Sequence, residues 1–288
     1  MDLLIILLSV VVSGGIWLRF LYQYDRVEPE PILVLLRIVV IGGLVSTFIA
    51  GTINSLFSSL SGIPISSESL SFKKSLILST FVGFNEEIVK AVVTVWLVKN
   101  LKDLDEPIDA VIYATAVGLG FSVFENFQYT TEHGLFNLVL RSFTAMPLHI
   151  GLAAIWGYKI SEVKFLHGKD YVESMKPAVI LAAGLHALYD FFQFYIANNI
   201  LPLIISITFS FFMIQIIRKK LDYLATQSPF LKAGTCTYCG TINSLENKKC
   251  KKCGKNLIQE FYTICNDCFA KVPRTETKCP DCNGNIKN

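Results

Sequence analysis

The stretch Gly83–Val93, GFNEEIVKAVV, sets two adjacent carboxylates and an amine, Glu86, Glu87 and Lys90, inside an otherwise apolar run. Glu86 and Lys90 are four residues apart, Glu87 and Lys90 three, so on a helix the lysine shares a face with each glutamate and offsets one of the two charges. Similar insertions recur along the chain: Glu125 beside Asn126 in GFSVFENFQY, His149 in AMPLHIG, and His186 four residues before Asp190 in GLHALYDFF. Carboxylates and imidazoles gathered at one buried point can activate water in two ways. A desolvated glutamate, Glu86 or Glu87, can act as general base while histidines stabilise the oxyanion. Alternatively His149, His186 and Glu125 or another carboxylate hold a divalent metal, zinc foremost, with an open water position and a glutamate as base. The residues leave both open. The same inventory also suits an ion- or proton-coupled transporter with no covalent chemistry.

These residues must be positioned by helices that cross a membrane. Seven apolar windows are long enough: Leu3–Tyr22, Ile32–Phe57, Ser75–Val98, Ile108–Gln128, Leu138–Ile160, Pro177–Ala197 and Ile200–Ile217. Glu86, Glu87, Lys90, Glu125 and Asp190 lie well inside them. Facing lipid, each would cost about 2.5–3.5 kcal/mol, and together roughly 12–17 kcal/mol. That rivals the whole stability of a typical protein, about 5–15 kcal/mol. They are therefore expected to face one another or a wet cavity. At 1.5 Å per residue, Glu86, Glu125, His149, His186 and Asp190 fall at about 15–25 Å from one face, a common depth shared by four windows. Lys90 is expected as a counter-ion, with Asn126 and Asp190 in supporting roles and Phe121 as packing. His133 and His167 fall in loops.

Composition agrees with a membrane protein. Of 288 residues, 52% are hydrophobic and only 17% charged, with a mean hydropathy of +0.48. Arg26, Lys99, Lys102, Lys164, Lys169, Lys176 and Arg218–Lys220 fall in alternate connections, which places the N-terminus outside and the C-terminus in the cytoplasm. Lys73, Lys74 and Arg141 break the pattern and are assigned to helix ends, where long side chains reach the interface. The first window lacks a basic leader and a small-residue cleavage site, so it is taken as a retained helix.

From Lys232 the chain turns polar and cysteine-rich. All eight cysteines lie there, as four C-x-x-C pairs: Cys236, Cys239, Cys250 and Cys253, repeated 29 positions later as Cys265, Cys268, Cys279 and Cys282. Two such knuckles supply four thiolates for one structural Zn2+, so the tail is expected to hold two zinc sites. Each copy is too small to fold on a hydrophobic core, and the metal must supply the folding energy. The expected organisation is an all-α, seven-helix membrane domain (1–221), a linker (222–234) and two β-rich zinc ribbons (235–260 and 261–288). The basic NKKCKKCGK could meet phosphate, but zinc-bound thiolates nearly cancel that charge, so protein docking is preferred over nucleic acid.

Five stretches, YDRVEPEP (Tyr24–Pro31), NEEIVK (Asn85–Lys90), GLGFSVFENFQY (Gly118–Tyr129), LHIG (Leu148–Gly151) and GLHALYDF (Gly184–Phe191), resemble in kind and order the PrsW family of intramembrane proteases, related to the CAAX prenyl endopeptidase and bacteriocin-immunity membrane proteins. The resemblance covers most of residues 1–217. It implies a multi-helix protease acting on a membrane-anchored protein, with Glu86, Glu87, Glu125, His149 and His186 at the family's functional positions and Asn126 and Asp190 matching more loosely. The zinc ribbons depart from the plain family plan and suggest docking or regulation. The expected function is intramembrane endoproteolysis. A transporter, or a non-catalytic receptor that binds partners through its ribbons, are the alternatives. VEPEP is expected to be a proline-stiffened elbow with Glu28 and Glu30 structural.

Overall fold

The computed structural model describes residues 3–65, 69–99, 101, 103–167, 171–197, 200–228, 235–236, 238–243, 247–257, 262–265, 267–268, 270–273 and 278–284. Lys102, Lys169, the side chain of His167 and the end of the linker lie outside them. The helices are α1 (Leu3–Tyr22), α2 (Ile32–Arg37), α3 (Gly43–Ser61), α4 (Phe72–Val98), α5 (Pro107–His133), α6 (Leu135–Phe143), α7 (Ala145–Ser161), α8 (Tyr171–Tyr195) and α9 (Leu201–Ala225). A π-helical segment, Ile38–Gly42, joins α2 to α3, and a second, Glu162–His167, follows α7.

Six helical stretches are long and apolar enough to span a bilayer: α1, Ile32–Ser61, α5, Leu135–Phe165, Val172–Tyr195 and α9. With α4, whose length suffices but whose central charges lower its hydropathy, these make the expected seven-helix, all-α membrane bundle. Side-chain polarity is arranged as lipid demands. Leu4, Phe48, Val92, Phe136 and Phe211 point outward, whereas Glu86, Glu87, Lys90, Asn126, His149 and His186 are buried.

α5 is the axis of the bundle, buried along almost its whole length and packed by α1, α3, α7 and the Ile38–Gly42 segment. Its start is set by a reciprocal capping box of Glu106 and Asp109, with Pro107 in the first turn. Small residues allow backbones to approach closely. A Cβ at Gly118 would stand 2.7 Å from the carbonyl oxygen of His149, which fixes α7 against α5 at the site. α4 packs chiefly on α8.

Two of the apolar windows are interrupted. The second carries the π-helical segment, whose Val39 carbonyl comes so close to Gly120 that no side chain would fit there. The fifth begins earlier than Leu138 and breaks at Thr144 (φ −119°, ψ −69°), between α6 and α7. Pro147 accounts for the break: it lacks the N–H that would bond Phe143 and its ring collides with that carbonyl. His149 consequently sits near the start of α7 and not at mid-helix. His133, expected in a loop, is the last residue of α5 and exposed, while α9 runs past Leu221 to Ala225.

In the tail, each set of four cysteines comes together, with ligand atoms within 4.8 Å of one another. Facing Sγ pairs are 3.6 and 3.5 Å apart for Cys236–Cys253 and Cys239–Cys250, and 3.4 and 3.5 Å for Cys265–Cys282 and Cys268–Cys279. Four sulfurs at about 2.3 Å from a tetrahedral zinc are about 3.8 Å apart, so both sets fit the ion. Strand β1 (Tyr262–Ile264) pairs antiparallel with β2 (Lys271–Pro273), and the first copy has the isolated bridges Thr235–Ile242 and Lys249–Asn256. These are the strand pairings of the tail among the described residues.

Candidate active site

The two adjacent glutamates of α4 have different surroundings. Glu87 is fully enclosed. Its carboxylate accepts from Lys90 Nζ at 2.5 Å, from Trp156 Nε1 of α7 at 3.3 Å and from His186 Nδ1 of α8 at 3.1 Å. Glu86 is rotated about 100° from it around the helix. Its Oε1 accepts from Asn54 Nδ2 of α3 at 3.2 Å, whereas its Oε2 is buried without a hydrogen-bond partner. That oxygen lies 3.7 Å from His186 Nε2 and 3.8 Å from Lys90 Nζ.

The histidines are oriented by these partners. His186 Nδ1 faces Glu87, a contact that assigns the proton to Nδ1 and leaves the Nε2 lone pair directed toward Glu86 and Asp190, whose Oδ2 is 3.6 Å away. His149 Nδ1 is 3.1 Å from Lys90 Nζ, the donor, so its Nε2 carries the proton toward Glu125 Oε2 at 3.0 Å. The two imidazole rings meet edge to face with centroids 5.1 Å apart. Phe121 lies under the Lys90 amine, 4.3 Å from ring centroid to Nζ, and against His149.

All of the residues expected from the sequence therefore converge, but one neighbour was misplaced. Arg141 is not at an interface: its Nη2 donates to Glu125 Oε2 and its Nε to Asn126 Oδ1, both at 2.6 Å, while its guanidinium covers the Tyr129 ring. Arg141 does lie at a helix end, in the last turn of α6, but its side chain turns into the cluster and not outward. A cation inside a span, with Glu125 otherwise uncompensated, was the available signal. Asn54 and Trp156 gave none, because an isolated amide or indole on an apolar helix is common. Asn126 is buried and reaches the cluster through its contact with Arg141.

A cavity of about 1270 Å³ opens beside this cluster, lined by Glu86, Glu125, His149, His186 and Asp190 among others. Glu87 and Lys90 lie behind that wall. The expected metal set of His149, His186 and Glu125 changes in one member. Among the described residues, Glu86, His149 and His186 form the set whose ligand atoms all lie within 4.8 Å of one another, while Glu125 Oε2 pairs with Arg141 Nη2 and His149 Nε2. The donor set suits a divalent ion: Glu86 Oε2 has no hydrogen-bond partner, and the Glu87 contact holds His186 with its Nε2 toward Glu86.

Residues 30–216 match the PrsW family of intramembrane metalloproteases. The chain is 30% identical over 201 residues to Protease PrsW of Clostridioides difficile (strain 630), covering 66% of this chain and 79% of that protein. It is 28% identical to Protease PrsW of Geobacillus kaustophilus (strain HTA426), over 64% of this chain and 78% of the relative. Against Protease PrsW of Bacillus subtilis (strain 168) the identity is 25%, over 67% and 84%. No solved structure matches. The cysteine-rich tail lies beyond the matched residues.

Proposed function

The chain belongs to the PrsW family and is a multi-pass membrane peptidase, and from this premise we propose that it hydrolyses a peptide bond of a membrane-anchored protein, with Glu86 as general base. The observation that carries this is the unpartnered, buried Glu86 Oε2 at the wall of the cavity, beside His186 Nε2.

Glu86 takes a proton from a water in the cavity, and the water oxygen attacks the scissile carbonyl carbon. The resulting oxyanion forms beside His149, at a point made positive by Lys90 and Arg141. Glu86 then returns its proton to the amide nitrogen, the C–N bond breaks, and a carboxylate and an amine leave. Glu87 holds His186 and neutralises Lys90; Glu125, fixed by Arg141, orients His149. These are positioning roles. Glu86, His149 and His186 would hold a divalent metal, whose Lewis acidity toward the water and the carbonyl would then take the place of the base, because Glu86 Oε2 would be its ligand.

Conversion of Glu86 to Gln keeps the shape and the Asn54 contact and removes the base. Cleavage of a tethered membrane substrate by the full chain is expected to fall by about 10²–10⁴-fold, with the amount of folded protein unchanged. Unimpaired cleavage by Glu86→Gln would end this assignment. We also place the N-terminus outside and the tail in the cytoplasm, with the membrane domain at 1–221 and the two zinc-bound ribbons, at 235–260 and 261–288, as a protein-docking element; the alternating lysines and arginines of the connections support the orientation.

A further inference from the structure

Four carboxylates meet at the start of α5, about 24 Å along that helix from Glu125. They are Asp25 and Glu30 of the YDRVEPEP elbow, Glu106, and Asp109 in the first turn of α5. None is more than 3% exposed. Three are clamped through one oxygen each. Asp25 Oδ2 accepts the Glu30 N–H at 2.7 Å, and Asp109 Oδ2 accepts the N–H groups of Asp105 and Glu106 at 3.0 and 2.7 Å. Glu106 Oε2 accepts from the Ser228 hydroxyl, in the segment that leaves α9 for the tail.

Helix capping and turn formation explain those clamped oxygens and leave the others without a role. Asp25 Oδ1, Glu106 Oε1 and Asp109 Oδ1 are buried and have no hydrogen-bond partner, and the buried Glu30 carboxyl has the Tyr113 hydroxyl as its neighbour. Asp25, Glu106 and Asp109 each offer an oxygen within 4.8 Å of the other two. No ion pair to any of the four occurs among the described residues, and the Lys164 amine is spent on the Leu104 carbonyl at 2.8 Å. Buried carboxylates left charged and unpaired are expensive. An all-oxygen set, with neither sulfur nor imidazole, selects a hard cation over zinc.

We propose that Asp25, Glu106 and Asp109, with Glu30 adding charge, bind a hard divalent cation of the Ca2+/Mg2+ class, tying the elbow to the start of α5 beside the segment that leads to the tail. It is separate in place from the intramembrane cluster, and in ligand chemistry from that cluster and from the cysteines.

The test is titration of CaCl2 or MgCl2 into the full-length, zinc-loaded protein in detergent, read by calorimetry and by the thermal midpoint. One saturable equivalent with a raised midpoint is expected. Asp109→Asn and Glu106→Gln should each weaken that binding by about tenfold or more. Both remove charge repulsion, so each should fold in the absence of the cation, and two variants guard against one failing. His149→Ala should bind as the parent does. No saturable binding of either ion to the parent protein, binding unchanged in both carboxylate variants, or binding lost in His149→Ala and kept in Asp109→Asn would each overturn the site.

Discussion

Glu86 and Glu87 are neighbours in sequence and opposites in setting, and the difference is testable. Glu87 satisfies Lys90, Trp156 and His186 together, so Glu87→Gln strands a buried ammonium. A loss of about 3–5 kcal/mol is expected, seen as a lower unfolding midpoint. Glu86→Gln removes a charge that has one hydrogen bond and an unpartnered oxygen, so its midpoint should stay put or rise while cleavage disappears. Equal destabilisation by the two variants would contradict this division of labour. Arg141 offers a second test at this scale. It holds Glu125 and Asn126 through two different nitrogens, a geometry an ammonium does not reproduce. Arg141→Lys should therefore lose activity almost as fully as Arg141→Ala, by about 10²-fold, the scale of a misplaced catalytic group. Cleavage by Arg141→Lys at the parental rate would refute it.

Helix packing decides whether those residues meet. Gly83, one turn before Glu86 and Glu87, lies against α8, where an added Cβ would stand 2.6 Å from Ala187 N and 2.9 Å from Ala183 O. Backbone atoms have little room to yield. Gly83→Ala should push α4 from α8, costing about 1–3 kcal/mol and separating both glutamates from His186, so midpoint and cleavage fall together. Gly184 is on the same α8 and meets nothing within 4 Å, so Gly184→Ala should be neutral or slightly stabilising. The contrast between these two substitutions, read in parallel melts and cleavage assays, separates close packing from a general intolerance of alanine. Similar outcomes for both would show that the α4–α8 approach is not limiting.

The molecule as a whole joins a membrane bundle to a tail that holds all eight cysteines in two sets of four able to hold a metal ion. An impermeant maleimide should consequently leave intact cells unlabelled and modify the protein only after permeabilisation and zinc removal; labelling of intact cells would invert the proposed topology. Chelation should melt the tail, raising its sensitivity to protease, while helical circular dichroism stays near its starting value, because the bundle rests on its own packing. Sequence alone determined the spans, since apolar length answers to bilayer thickness whatever the neighbours. It also determined the paired knuckles, since tetrahedral thiolate sites are nearly local in the chain, and the inventory of Glu86, Glu87, Lys90, Glu125, His149 and His186, since charges inside spans must point inward. The tertiary structure alone decided which glutamate faces the cavity, because residues about 100° apart on a helix are distinguished only by how that helix is rotated against its neighbours. It also drew in Arg141, through the break at Thr144, and it gathered Asp25 and Glu30 with Glu106 and Asp109. Such contacts join residues remote in sequence, and their partners are chosen by packing, on which local pattern is silent.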